Sequence, residues 1–252
     1  MMIIESNVDQ LVNQLPQVYQ PIYNYPNLTD KKTVQRVCTD REKEIISIVD
    51  KYLNFTKKKF IKILDIGCSQ GYFCFKLKEH FKNRVQITGI DIDKKNIDLC
   101  KALNNENNFN IDFNTKTLNN DLINQIKDNQ FDIIMLLSVI HHEARPNGSI
   151  YSENAKGGYQ YAKKLLSKLI QKSKLTIIEL ALKEEFKSDF GELPDDYMDW
   201  VSDATFGKQI ASFLRTTVSE EDRSNNTQPK MRPMILASDK YSFEKGMFKE
   251  IM

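Results

Sequence analysis

The chain has 252 residues, enough for one large or two small domains, and 40% of them are hydrophobic, enough for a substantial core. Lys and Arg number 36 against 34 Asp and Glu, a net charge of +2, so no global field advertises a nucleic-acid partner. The four cysteines, Cys38, Cys68, Cys74 and Cys100, form no CxxC pair; this argues against a metal site or a disulfide framework and for reduced thiols in a cytoplasmic protein. Glu5 stands where a secretory leader would be basic, and no apolar run approaches the ~20 residues of a membrane helix, so neither export nor membrane insertion is expected.

Residues 1–59 read as mostly helical around a broken stretch, "LPQVYQPIYNYP", where Pro16, Pro21 and Pro26 forbid one continuous helix. A helix is predicted over Arg36–Leu53, with Ile45, Ile46, Ile48, Val49 and Leu53 spaced for one face. From residue 60 strands and helices alternate. Predicted strands lie at Ile61–Ile66, Gln86–Ile90, Phe109–Phe113, Phe131–Leu137 and Leu175–Leu182. Predicted helices lie between them, at Tyr72–Phe81, Lys94–Leu103, Asp121–Lys127 and Tyr159–Gln171. That alternation means an α/β fold with a mostly parallel sheet covered on both faces. A helix starting near Pro194 and strands near Phe206–Val218 and Met234–Ser238 complete the reading, with the final hairpin-like pair as the only antiparallel part.

The stretch "ILDIGCSQGYFCFKL" places a glycine turn at the carboxyl end of the first strand, where doubly wound sheets bind their ligands. Gly67 and Gly71 allow backbone conformations and close approach that a Cβ would block. In "ITGIDID", Asp91 ends the second strand and can accept both hydroxyls of a ribose. A dinucleotide fingerprint needs glycine two residues after Gly67, and Ser69 stands there. The pattern D-x-G-x-x-x-G, led by Asp65 and running through Cys68, instead resembles the first motif of class I S-adenosylmethionine (SAM) methyltransferases. That resemblance implies a Rossmann-like, seven-stranded fold with SAM as cofactor. Asp65 would meet the cofactor's cations directly or through water, Ile92 would flank the adenine, and Asn114 or Thr115 would meet the adenine edge.

"FDIIMLLSVIHHE" begins a buried strand at Asp132 and delivers Ser138, His141 and His142 to the same end of the sheet. The chain has three histidines, and two of them are adjacent here. A neutral imidazole can act as a base and a protonated one can pair with an anion, so either role is open for either ring.

The segments "LPQVYQPIYNYP", "RVCTDR", "LDIGCSQGYF", "GIDIDKKNIDLCKAL", "LLSVIHHE", "IIELALKEE", "LPDD" and "RPM" together resemble the methyltransferase domain of bifunctional methyltransferase–kinases that cap bacterial polymannose O-antigen chains. The resemblance implies residues 1–59 as a helical lid on a SAM-binding domain, residues 60–252. Tyr19 and Tyr23 with Arg36 and Arg41 would cover cofactor and acceptor. Tyr23 and Ser138 would lie on the cofactor side, Tyr19, Arg41 and Arg232 toward the acceptor, and Arg36 beside the histidines. The implied reaction is methylation of a phosphate on a surface polysaccharide. The family's kinase has no counterpart here, so a separate kinase is expected as partner. The O-methyl phosphoramidate of bacterial capsules is a related acceptor. A sugar hydroxyl or small metabolite is the alternative.

Overall fold

The computed structural model describes residues 7–25, 37–144, 158–180, 209–216, 231–238 and 240–250. The first helix, α1 (Asn7–Gln14), is followed by a non-helical strap over residues 15–25, and the next helix is α2 (Thr39–Thr56). There follow β1 (Ile61–Ile66), α3 (Tyr72–Phe81), β2 (Val85–Asp91), α4 (Lys94–Glu106), β3 (Asp112–Thr115) and α5 (Asn120–Gln125). The second half holds β4 (Phe131–Leu137), α6 (Ile140–Glu143), α7 (Tyr159–Lys172), β5 (Ser173–Glu179), β6 (Gln209–Thr216) and β7 (Met231–Ala237). A hairpin of β8 (Tyr241–Glu244) and β9 (Met247–Glu250) closes the chain.

Seven strands form one sheet in the order β3-β2-β1-β4-β5-β7-β6. β1 to β5 run parallel, while β7 is antiparallel to both β5 and β6. The order reverses beside β1, so the ends of β1 and β4 flank the crevice where such sheets take ligands. Alternation across the pleat explains the continuous apolar runs. Ile61 and Ile63 of β1, with Ile133 and Met135 of β4, join the apolar cluster beneath α2, α3 and α4. Leu64, Ile66, Ile134 and Leu136 point the other way, onto α5, α6 and α7.

β1, α3 and β4 fall where the sequence predicts them, and most other predicted elements shift by a few residues. β3 starts three residues late, because Asn108 turns left-handed (φ 54°) and Phe109 packs against Tyr23 and Phe75 rather than entering the sheet. The expected helix near Pro194 lies outside the described residues. The β6–β7 pair is not the only antiparallel part: β8 and β9 form a separate two-stranded sheet. Its signal was the Lys245-Gly246 turn, both residues with positive φ, which suits a two-residue hairpin. Tyr241 and Phe248 pack edge-on against Tyr52 of α2.

The described parts of residues 1–59 are not set apart from the sheet domain. Val8, Val12, Leu15, Val18, Ile22 and Tyr23 belong to the same apolar cluster as β1 and α3. No helix among the described residues is long and apolar enough to cross a membrane.

Candidate active site

The turn between β1 and α3 is fixed from below and from both sides. The amides of Gly67 and Cys68 donate to Ile90 O of β2 at 2.8 and 2.9 Å. Gly67, Ser69 and Gly71 all have positive φ, at 73°, 51° and 77°. A Cβ on Gly67 would run into the Cγ2 methyl of Val139, and one on Gly71 would lie 2.9 Å from both Cys100 Sγ and Phe75 Cε2. The glycines are thus required by backbone conformation and internal packing. This changes the reason for the first one: its missing side chain makes room for Val139, at the entry to the histidine turn.

Asp91 stands at the mouth of this turn. Its Oδ2 accepts from Ser69 N at 2.8 Å, and its Oδ1 accepts from Asp93 N at 2.8 Å and Asn96 Nδ2 at 3.4 Å. Burial outweighs these donors and pushes its pKa up from 3.8 to about 6. Ile92 follows it half-buried; Asn114, also half-buried, and Thr115 end the adjoining strand β3. Asp65 takes a different place from the one expected. It is 1% exposed, accepts from Cys74 Sγ at 3.3 Å, and has its pKa raised by burial, so it supports the turn from behind. Cys68 lies there too, buried with Cys74 and Cys100.

The N-terminal strap reaches this turn through two glutamines, one on the strap and one in the turn, each accepting from backbone amides of the opposite segment. Gln70 Oε1 accepts from Tyr19 N at 3.2 Å and Gln20 N at 3.0 Å, while Gln20 Oε1 accepts from Tyr72 N at 3.1 Å. Tyr72 opens α3, so Gln20 satisfies one of the orphan amides of that helix. Gln70 Nε2 then donates to Asn96 Oδ1 at 2.6 Å, which joins the strap to Asp91. Tyr23, expected on the cofactor, lies elsewhere. Its ring stacks on Phe75 at 5.2 Å and its hydroxyl donates to Glu79 at 3.0 Å, two turns along α3 from the glycines. Burial and Glu79 push that hydroxyl's pKa up to about 12.

At the end of β4, Ser138 adopts φ 60°, a left-handed conformation unusual for serine. Its hydroxyl makes a short hydrogen bond to Glu179 Oε1 at the end of β5, and its amide donates to Glu179 O at 3.1 Å. Two arginines converge on the same carboxylate. Arg41 Nη1 lies 3.3 Å and Arg232 Nη1 3.4 Å from Glu179 Oε1, and Arg232 Nη1 also donates to Ser138 Oγ at 2.6 Å. Arg41 additionally donates to Cys38 Sγ at 3.2 Å and lies over the Phe73 ring. The exposures of Arg41, Glu179 and Arg232 are 1%, 0% and 3%. Burial acts to lower the Arg41 pKa, but Glu179, Cys38 and Tyr19 together offset it and the net shift is upward. The two guanidiniums, expected toward the acceptor, are therefore buried parts of an ionic cluster. His141 and His142 follow in α6 with ring centroids 4.1 Å apart, His141 being the more buried. Arg36 lies outside the described residues.

Sequence reasoning passed over Glu179 and Gln70. Glu179 had a signal, an acid closing the apolar run "LTIIEL"; Gln70 had none beyond its place inside the glycine turn.

A family model for a methyltransferase domain matches residues 57–231. The chain belongs to that family. It is a class I methyltransferase domain, and its methyl donor is SAM. Over 237 residues, 93% of its length, it is 29% identical to the Escherichia coli O-antigen chain terminator bifunctional methyltransferase/kinase WbdD. That alignment covers 29% of the relative, so the chain spans under a third of it. The 2.2 Å crystal structure of WbdD superposes with a TM-score of 0.76 at 26% identity, covering 98% of this chain and 50% of that one. A ubiquinone biosynthesis O-methyltransferase of Bartonella tribocorum is 36% identical over 87 residues, 34% of this chain and 33% of that protein. The residues present fit the methyl donor. The turn is held open in a left-handed form, and Asp91 offers a carboxylate beside it that ionises near neutral pH.

Proposed function

We propose that this methyltransferase acts on a phosphate-type oxygen, a phosphate or phosphoramidate, carried by a bacterial surface polysaccharide during its cytoplasmic assembly. The single observation that carries the reading is the convergence of two buried guanidiniums, Arg41 and Arg232, on Glu179 beside Ser138. SAM, when bound, would supply a sulfonium-activated methyl carbon, open to in-line attack by an oxygen that forms an O–C bond as the C–S bond breaks and S-adenosylhomocysteine leaves. A phosphate-type oxygen is already anionic at neutral pH, so the protein's task is to hold it in place. Guanidiniums gathered at this point favour an anion over a neutral acceptor, and low dielectric makes such charge interactions stronger than at a surface. His141 and His142, with Arg36, then position the acceptor, and Asp91 holds the ribose. The likeness to WbdD supports the polysaccharide setting, as an O-antigen or a capsule, and a separate kinase as the source of a phosphate acceptor.

The adjacent histidines favour a second reading, an O-methyltransferase for a sugar hydroxyl or small metabolite. A hydroxyl must lose its proton, and one imidazole would take it. Transfer of labelled methyl from SAM to matched sugars with and without a phosphate tests the choice. Label on the phosphorylated sugars alone, in a methyl ester that a phosphodiesterase releases, is the expected result. Label on the free sugars overturns it in favour of the hydroxyl.

A further inference from the structure

The edge of the sheet opposite the cofactor turn has its own character. Register pairs Ile61 with Val85, Ile63 with Ile133 and Phe131 with Ser173, so β1, β2, β4 and β5 all begin on that edge. The chain enters β1 through Lys57, Lys58, Lys59 and Phe60, and Lys62 follows at once. Lys82 and Arg84 precede β2 and are exposed, and Lys172 and Lys174 flank the start of β5. The acids do not balance them. Asp132 is shared by Lys58 and by Lys174 at 3.6 Å, and Asp128 is taken by Lys172 at 2.8 Å. Lys58 beside it, together with burial, lowers the pKa of Lys174, the mark of crowded cations. The chain as a whole carries only +2, so this edge concentrates positive charge that the rest of the molecule offsets.

Amid these lysines stands Phe60, 51% exposed. It is one of two large hydrophobic side chains left exposed among the described residues. A solvated charged face gives no reason for an exposed phenyl ring. A membrane interface does: basic residues meet anionic head groups while an aromatic ring seats at the acyl boundary, and lysine stems lie along it.

We propose that this edge is a peripheral docking surface for an anionic lipid bilayer, with Phe60 at the head-group boundary and the surrounding lysines on lipid phosphates. A lone phenyl among lysines suits a lipid better than a nucleic acid, which would need stacking rings along a groove. The arrangement also leaves the active site free. β1 is six residues long, so the glycine turn stands about 20 Å from the docked edge and faces away from the bilayer. This inference does not depend on the identity of the acceptor.

Co-sedimentation of the full chain with vesicles tests it, comparing about one-third phosphatidylglycerol in phosphatidylethanolamine with pure phosphatidylcholine. Binding is expected to the anionic vesicles only, and to weaken steeply as salt approaches about 0.5 M. Each lysine near the surface contributes about fivefold, so Lys57→Glu with Lys59→Glu should weaken binding ~25-fold or more. Phe60→Ala should cost several-fold and leave a remainder that salt abolishes. All three side chains are exposed, so the variants should fold and keep wild-type affinity for S-adenosylhomocysteine, measured on the same samples. Absence of vesicle binding, or binding that neither variant changes, overturns the proposal. Salt-sensitive binding to a short RNA without vesicle binding also overturns it and assigns the edge to nucleic acid.

Discussion

Asp91 gives the sharpest prediction because one group controls two observables in opposite directions. Its pKa stands at about 6 in the folded chain against an ordinary 3.8, raised first by burial. An acid raised in this way binds its proton more tightly folded than unfolded. Its contribution therefore favours the fold at low pH and is lost as pH rises from about 4 to about 6. At about 1.4 kcal/mol per pH unit, that interval amounts to about 3 kcal/mol of stability given up at neutral pH. Asp91→Asn removes the titration while keeping the shape. The perturbation also exchanges one acceptor for a donor facing Ser69 N or Asp93 N, a cost that does not vary with pH. Urea unfolding of both proteins without ligand, from pH 4 to 7.5, isolates the pH-dependent part. The variant should gain on the wild type by about 2–3 kcal/mol across that range, most of it between pH 4 and 6.5. Over the same samples, affinity for S-adenosylhomocysteine at pH 7.5 should fall by about 1.5–3 kcal/mol, the worth of hydrogen bonds to a charged group. A flat difference profile would refute the burial argument. Unchanged affinity would refute Asp91 as the ribose ligand.

Gly67→Val should cost both folding stability and cofactor binding, since its side chain meets Val139 and its φ of 73° disfavours any β-branched residue. Pairing it with Val139→Ala should recover part of the stability in a melting assay; no recovery would show that the backbone alone is limiting. Glu179→Gln leaves two buried guanidiniums facing each other and should destabilise by about 3–5 kcal/mol in urea, as breaking buried ion pairs does; unchanged stability would count against the cluster. His141→Gln and His142→Gln should each lower turnover roughly tenfold to a hundredfold with an anionic acceptor. If one of them instead removes most of the ~10²–10⁴-fold that proton transfer supplies, and only above the pKa of that histidine, the hydroxyl reading replaces it.

The fold was largely legible because β1, β4 and α3 announce themselves by local pattern: apolar runs of strand length, a glycine turn, and a helix behind it. Asp91 was legible for the same reason, as an acid closing a strand at a fixed distance from that turn. Arg41, Arg232 and Glu179 were not legible as one unit. They come from α2, β7 and β5, and only the antiparallel joint between β5 and β7 brings the last two together. Arg41 and Arg232 were placed toward the acceptor by resemblance alone, and nothing near either one in sequence points to the buried carboxylate that holds both. Tyr23 was misplaced for a related reason: a tyrosine near prolines suggests a lid, while Phe75 and Phe109, far along the chain, give its ring an aromatic core.

The exchange between Gln20 and Gln70 bears on where this protein can be cut. The family model starts at residue 57, as if the strap and the first two helices were accessory. A fragment trimmed to that boundary would strip an amide acceptor from the first turn of α3 and uncover the apolar faces that Val8, Val12 and Ile48 now share. The module that recurs across the family is thus smaller than the unit that folds here. Grafting or swapping this methyltransferase between larger proteins would have to carry the strap with it, since the glycine turn is finished by residues some fifty positions upstream.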